Sequence, residues 1–226
     1  MCIYMLSGLG ADRRVFDFLD LSEHDVRHVE WIEPKRKETI QQYAFRLLNQ
    51  IQHERPILIG VSFGGIVAIE VGKLIPTEKI VLISSVRTKF DIPVFFRLVN
   101  HLWLHKILEK LYTSGSFNLL NWFFSAESAA EKELVRASFC QINSCFYLWA
   151  IEQISTWKNI EAPKNAVAIH GARDRIFRAR SADEIILGGG HFMVLSKAKE
   201  LSRILNKILA KQEITDNNIN VEAQLS

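Results

Sequence analysis

Short apolar runs recur along the chain, separated by longer segments in which apolar residues return every three or four positions. Runs of about four to eight such residues, bounded by polar or turn residues, are typical of strands. The run ILIGV at 57–61 has no charged or polar side chain, as expected for a strand buried on both faces of a parallel sheet. The predicted strands are Cys2–Leu6, Val26–Ile32, Ile57–Val61, Lys79–Ser84, Ala166–Ile169 and Asp183–Leu187.

The segments between these runs have the apolar spacing of amphipathic helices. One helix is predicted within residues 37–53, a second follows the third strand at once from Phe63 to about Leu74, and a third closes the domain from Val194 to Leu209. Because strands and helices alternate, the sequence predicts an α/β fold with a doubly wound, mostly parallel sheet of about six strands. The apolar face of the first helix comprises Ile40, Tyr43, Ala44, Leu47, Leu48 and Ile51.

One long segment, residues 87–157, interrupts the alternation. It has no clear strand, yet it contains 14 of the 23 aromatic residues of the chain. This density predicts an inserted helical cap over a core formed by residues 1–86 and 158–212, followed by a flexible tail at 213–226. The alternative is that the aromatic residues only form the cap's own core, since aromatic stripes are most often packing residues.

Composition limits the classes of function. At 226 residues, with 48% hydrophobic and 23% charged residues, the chain fits one globular domain. The net charge of +3 is small and the two signs are mixed, so we expect no nucleic-acid partner. The three cysteines have no metal or redox spacing, and no leader or membrane span is recognised. We expect a cytoplasmic protein without stable membrane insertion.

A serine lies where the third predicted strand ends, in the sequence GVSFG at 60–64. The G-x-S-x-G pattern between a strand and a helix is typical of a nucleophile elbow, because the sharp turn crowds the backbone at both glycines. Such a turn exposes the Ser62 hydroxyl at the N-terminus of a helix, where the helix dipole stabilises negative charge. Ser62 is therefore the candidate nucleophile, and a tight-turn serine without catalytic function is the alternative.

A nucleophilic serine needs a base and an acid that orients this base. Asp174 follows the fifth predicted strand, and His191 lies in the glycine-rich loop after the sixth. Both loops leave the carboxyl ends of strands, where sites form in parallel sheets. The chain order Ser62, Asp174, His191 is the order expected for a hydrolase of this kind.

Attack on a carbonyl also produces an oxyanion that needs hydrogen-bond donors. The backbone N–H of Phe63, directly after the nucleophile, is the first candidate donor. The second is expected in the loop after the first strand, where Gly8 and Gly10 allow a close approach, and Leu9 is the choice. Asp12 in this loop is predicted to be a helix N-cap and not a catalytic acid.

Four motifs follow one another along the chain, namely SGLGADRRVF, GVSFGG, HGARDRIF and GGGHFMV. On these motifs the chain resembles the α/β-hydrolase superfamily over nearly its whole length. The resemblance implies Ser62 as nucleophile, His191 as base, Asp174 as acid, and Leu9 with Phe63 as the oxyanion hole. It also implies that the cap is the family's helical lid. The chain departs from the family by having Ser7 before Gly8, where many members have histidine, and by lacking the first two strands.

The expected activity is hydrolysis of a carboxylic ester or thioester of a small, partly apolar substrate, through an acyl-enzyme on Ser62. No cofactor and no metal are expected, since His101 and His105 form the nearest approach to a metal motif and no third ligand accompanies them. Acyl transfer, C–C hydrolysis, a lyase reaction or a ligand-binding sensor of low turnover are alternatives on the same fold. The substrate-binding residues, the substrate and the oligomeric state stay open.

Overall fold

In the computed structural model, six strands form one sheet in which every neighbouring pair is parallel. The structure describes residues 2–94, 96, 118, 121–122, 124–140, 144–178, 180 and 182–210. The spatial order is β2-β1-β3-β4-β5-β6, which confirms the predicted α/β fold. The strands are β1 (Cys2–Leu6), β2 (Asp25–Val29), β3 (Ile57–Val61), β4 (Lys79–Ile83), β5 (Ala166–Gly171) and β6 (Glu184–Ile186).

The strand order reverses between β1 and β3. The chain first adds β2 on one side of β1 and then adds β3 and all later strands on the other. At such a switch point the loops that leave the two central strands diverge, which opens a crevice at their carboxyl ends. The loop after β1 and the turn after β3 therefore meet where a ligand site is expected.

Side chains of the central strands alternate between two apolar layers. In β1, Tyr4 and Leu6 belong to the layer on one face of the sheet, whereas Ile3 and Met5 belong to the layer on the other. All five residues of β3 are buried, as predicted for a strand covered on both faces, and so are all five residues of β1.

The helices of the described residues cover both faces of the sheet. They are α1 (Ile40–Leu47), α2 (Phe63–Gly72), α3 (Ala129–Cys140), α4 (Ser144–Thr156), α5 (Met193–Ser196) and α6 (198–210). A capping box between Thr39 and Gln42 starts α1. α2 is buried almost all round, and its Glu70 carboxylate accepts hydrogen bonds from Trp157 Nε1 at 2.7 Å and Lys73 Nζ at 2.6 Å.

Two elements differ from the sequence prediction. β2 ends at Val29 and not at Ile32, because the backbone N–H and C=O of Ile32 bond instead to the Tyr43 hydroxyl on α1, at 3.1 and 2.8 Å. The closing helix is interrupted at Lys197, whose φ of −125° and ψ of 27° lie outside the helical range. The apolar spacing continues across this interruption, so the pattern could not reveal it.

The segment between β4 and β5 contains α3 and α4 among its described residues. The α4 residue Trp149 is buried and donates its indole N–H to the carbonyl of Glu38 at 2.7 Å. Trp149 therefore packs within the core, and not only against other residues of the segment between β4 and β5. The predicted tail at 213–226 lies outside the described residues. Among the helices that the structure describes, none combines the length and hydropathy that a membrane crossing requires.

Candidate active site

Ser62 occupies a strained turn between β3 and α2. Its φ of 52° and ψ of −119° place a non-glycine residue in a backbone region that is sparsely populated. A Cβ atom on Gly60 would lie 2.5 Å from the Gly64 carbonyl oxygen, and one on Gly64 would collide with the carbonyl oxygens of Leu6 and Ser7. The two glycines are thus required by close backbone packing, as the pattern predicted.

Hydrogen bonds fix the backbone of this turn from both sides. The Ser62 N–H donates to the Ile83 carbonyl of β4 at 2.9 Å. Its carbonyl oxygen accepts from Gly65 N–H at 3.0 Å and from the Ser85 hydroxyl at 2.6 Å. The turn is therefore anchored to the neighbouring strand, and the side chain of Ser62 remains available at the carboxyl edge of the sheet.

His191 and Asp174 lie beside this serine in one hydrogen-bonded chain. His191 Nε2 is 2.9 Å from Ser62 Oγ, and His191 Nδ1 is 2.9 Å from Asp174 Oδ2. An ionised carboxylate only accepts hydrogen bonds, so the Nδ1 atom carries the proton and Nε2 presents its lone pair to the serine hydroxyl. The structure brings together the three residues that the sequence singled out.

The second oxygen of Asp174 has backbone donors. Asp174 Oδ1 accepts from the N–H groups of Ile176 at 2.8 Å and Phe177 at 3.0 Å. Both carboxylate oxygens are therefore occupied, and the side chain is buried in an orientation that aims Oδ2 at the imidazole.

Three phenylalanine rings surround the imidazole of His191. The ring centroids of Phe124, Phe177 and Phe192 lie 5.8, 5.8 and 5.7 Å from that of His191. Phe124 comes from the predicted cap, and Ser125 next to it donates its hydroxyl proton to the Arg173 carbonyl at 2.7 Å. No local sequence pattern links residues 124–125 to the loops of Asp174 and His191, so these contacts could not be predicted.

The loop after β1 passes close to Ser62, as the predicted oxyanion hole requires. A Cβ atom on Gly8 would lie 3.5 Å from Ser62 Cβ. Phe63 is the first residue of α2, so its N–H has no acceptor within the helix. Leu9 lies in the turn of this loop and packs against the core. The donor roles of Leu9 and Phe63 remain predictions.

Asp12 has the predicted capping role. Its side chain accepts from Arg14 N–H at 3.0 Å and caps a short 3-10 helix at Arg13–Phe16. The Arg14 guanidinium lowers the pKa of Asp12. This carboxylate is therefore committed to the cap and to an exposed ion pair.

A second histidine, His170, lies at the end of β5 and is almost fully buried. Burial lowers its pKa, which favours the neutral imidazole. The facing position after β4 carries Ser84 and Ser85 and no carboxylate, so Asp174 has no competing acid there. His101 and His105 lie outside the described residues.

An aromatic cluster adjoins the nucleophile turn on the other side. Trp31 and Phe146 pack against Phe63, with ring centroids 5.7 and 6.3 Å away, and Trp149 lies edge-on to Phe63 at 6.0 Å. Phe146 and Trp149 belong to α4. The predicted cap segment thus packs apolar side chains against Phe63, the residue that follows Ser62.

Comparison with known proteins agrees with this architecture. Residues 4–204 match the alpha/beta hydrolase family, and the chain belongs to this family. Membership of this family supports a hydrolase. A search of curated proteins found no match.

Several solved structures share the fold at low sequence identity. An esterase from Thermogutta terrifontis is 16% identical, with 94% of this chain and 90% of that chain covered and a TM-score of 0.66. For a carboxylesterase from Nitrososphaera gargenis the identity is 18%, the coverage 95% and 91%, and the TM-score 0.68. A hydrolase from Oleispira antarctica is 15% identical, with coverage of 92% and 90% and a TM-score of 0.67. These likenesses show the common fold.

Proposed function

We propose that this hydrolase cleaves a carboxylic ester or thioester of a small, partly apolar substrate through an acyl-enzyme on Ser62. The observation that carries the proposal is the chain of hydrogen bonds from Ser62 Oγ to His191 Nε2 and from His191 Nδ1 to Asp174, each 2.9 Å long. Activation of a serine requires a base in contact with its hydroxyl and an acid that orients this base.

In the first half of the reaction, Ser62 Oγ attacks the carbonyl carbon while its proton moves to His191 Nε2. The resulting imidazolium is stabilised by the buried Asp174 carboxylate, which stays ionised. When the tetrahedral intermediate collapses, the C–O or C–S bond to the leaving group breaks. The leaving group takes the proton from His191, and the acyl group remains on Ser62.

In the second half, water attacks the acyl-enzyme. His191 Nε2 takes a proton from this water and returns it to Ser62 Oγ as the carboxylic acid is released. In both halves, the backbone N–H groups of Phe63 and Leu9 would stabilise the oxyanion, with the N-terminus of α2 adding its dipole. These steps use groups of the protein and one water molecule, and they need neither metal nor cofactor.

The apolar part of the substrate would contact the aromatic residues around the site. Phe124 lies next to His191, and Phe146 packs against Phe63, so segment 87–157 would act as the cap over Ser62. Esterases among the proteins of similar fold support an ester as the substrate. We propose residues 1–86 and 158–212 as the catalytic core that this cap covers.

The proposal is tested by the turnover of p-nitrophenyl esters of graded acyl length by the parent protein and by Ser62→Ala. We expect kcat/KM to fall by about 10⁴-fold or more in the variant, because it lacks the hydroxyl that forms the acyl-enzyme. Ser22→Ala, at an exposed serine far along the chain from the turn, is the matched control and should keep the parent's rate.

Comparable rates for Ser62→Ala and the parent would contradict the proposal. Circular dichroism should show the same fold for both proteins. Transfer of the acyl group to an added alcohol in preference to water would identify an acyltransferase. Binding of esters without any acyl-enzyme would identify a lyase or a ligand-binding sensor.

A further inference from the structure

Three metal-ligating side chains converge at the edge of the sheet opposite Ser62. One ligand atom each of Cys2, Asp25 and His53 lies within 4.8 Å of those of the other two. Cys2 is buried, His53 is half-buried, and Asp25 is exposed to solvent. Thiolate, imidazole and carboxylate are the three side-chain ligands that Zn²⁺ takes in proteins.

The fold, and not the sequence spacing, brings these residues together. Cys2 and Asp25 begin two adjacent parallel strands and are register partners across β1 and β2. His53 precedes β3, which pairs with the other side of β1 from Ile3 and Ile57 onwards. Parallel strands align their amino ends, so the three segments meet at one edge although 51 positions separate Cys2 from His53.

We propose that Cys2, Asp25 and His53 bind one Zn²⁺ ion at the amino edge of the sheet. The ion would link the starts of β1 and β2 to the segment before β3. Solvent at the exposed side of Asp25 would supply the remaining ligand. Zn²⁺ suits a mixed set of sulfur, nitrogen and oxygen ligands better than Mg²⁺ or Ca²⁺, which prefer oxygen alone.

Tyr4 supplies the second layer of contacts that a metal-binding histidine needs. Its hydroxyl oxygen lies 2.8 Å from His53 Nδ1 and accepts the Gln52 N–H at 3.0 Å, and the side chain is only 1% exposed. If His53 donates Nδ1–H to this oxygen, its Nε2 lone pair is available for the ion.

Charge balance also favours a cation at this position. The Cys2 thiol and the Asp25 carboxylate have ligand atoms within 4.8 Å of each other, so a cation between them would face a carboxylate and a thiolate. Binding of Zn²⁺ would break the S–H bond, form a Zn–S bond and release the proton to solvent. Arg27, 3.7 Å from Asp25 in a largely exposed ion pair, is the competing positive charge.

The site would stabilise the fold and would not take part in catalysis. Cys2 and Leu6 mark the two ends of β1, and a strand of five residues spans about 15 Å. The metal ligands and Ser62 therefore lie at opposite edges of the sheet. Binding to the native state alone raises thermal stability, because the unfolded chain does not preserve the three-ligand arrangement.

The test is titration with Co²⁺, which replaces Zn²⁺ and reports thiolate ligation by a charge-transfer band in the near ultraviolet. The full chain is used, with any C-terminal affinity tag removed and a reductant free of thiols. We expect the band to saturate at one Co²⁺ per chain, and one equivalent of Zn²⁺ to abolish it. The same equivalent of Zn²⁺ should raise the melting temperature.

The variants distinguish this site from nonspecific binding of Co²⁺ by other cysteines. Cys2→Ser should lose the charge-transfer band, and His53→Gln should weaken Co²⁺ binding at least about tenfold. Cys145→Ser, at the exposed cysteine of α4, is the matched control and should bind as the parent does. Tyr4→Phe should weaken binding by about tenfold while the band persists, because it removes a contact behind His53 and no ligand.

Absence of the band in the parent protein would overturn the proposal. So would a band that persists in Cys2→Ser, whichever other cysteine causes it. If Cys2→Ser fails to fold, His53→Gln decides the matter, because unchanged Co²⁺ affinity in this variant is incompatible with the site. Ester turnover is not a readout here, so the result is independent of the proposed function.

Discussion

The two halves of the candidate active site are held in place by different means. Ser62 is positioned by its backbone, with φ at 52° and with Gly60 and Gly64 packed against neighbouring chain segments. Asp174 and His191 are positioned by hydrogen bonds to their side chains, from two backbone N–H groups and from each other. A change to a glycine on the serine side should therefore affect folding, whereas a change to a side chain on the other side should affect chemistry.

The largest effect is expected on the side-chain half. Asp174→Asn should lower kcat/KM for esters by about 10³–10⁴-fold with little loss of stability, because an amide favours the wrong tautomer of His191. The measurement is kinetics with a p-nitrophenyl ester together with urea unfolding. Asp17→Asn, at an exposed aspartate, is the control and should match the parent. A rate within a few-fold of the parent for Asp174→Asn would show that another group is the acid.

The backbone half is tested by two glycine variants that differ in the room around them. Gly64→Ala should lower the free energy of unfolding by about 2–4 kcal/mol, since its Cβ would meet the carbonyl oxygens of Leu6 and Ser7. Gly8→Ala should cost less than about 1 kcal/mol, because the nearest atom, Ser62 Cβ, is 3.5 Å away. Both values come from urea unfolding. Equal losses in the two variants would contradict the crowding of the turn.

The smallest effect is expected for His170, which is buried at the end of β5. Burial lowers the pKa of this histidine in the folded state, so below about pH 6.5 the unfolded chain binds more protons and stability falls as the pH falls. His170→Gln should reduce this acid-induced loss. His28 keeps part of the loss, because burial lowers its pKa as well.

Urea unfolding at several pH values from neutral to mildly acidic measures the effect on both proteins. The predicted outcome is a flatter dependence of the unfolding free energy on pH in His170→Gln. Parallel curves for parent and variant would show that His170 is not a source of the acid sensitivity.

The contrast between the two halves also explains what the sequence could predict. Gly60 and Gly64 lie within two residues of Ser62 in the sequence, so the turn between strand and helix could be recognised from a short local pattern. Asp174 and His191 followed from their loops after predicted strands and from the order of the motifs. Phe124 and Ser125 contact the His191 loop across a long sequence separation, and no spacing of residues in the sequence predicts these contacts.

The same distinction applies to the rest of the fold. The apolar runs predicted all six strands of the sheet. The largest error in a strand boundary is at the end of β2, where the backbone of Ile32 forms its hydrogen bonds with the Tyr43 hydroxyl instead of a neighbouring strand. The interruption at Lys197 was missed because the apolar spacing is the same on both sides. The cluster of Cys2, Asp25 and His53 depends on strand order, which periodicity alone does not give.

The most direct test of the account is the intact mass of the protein after incubation with a fluorophosphonate, which reacts with activated serines. We predict a single adduct on the parent, no adduct on Ser62→Ala, and a strongly slowed reaction of Asp174→Asn. A full adduct on Ser62→Ala, or none on a well-folded parent, would contradict the claim that His191 and Asp174 activate Ser62.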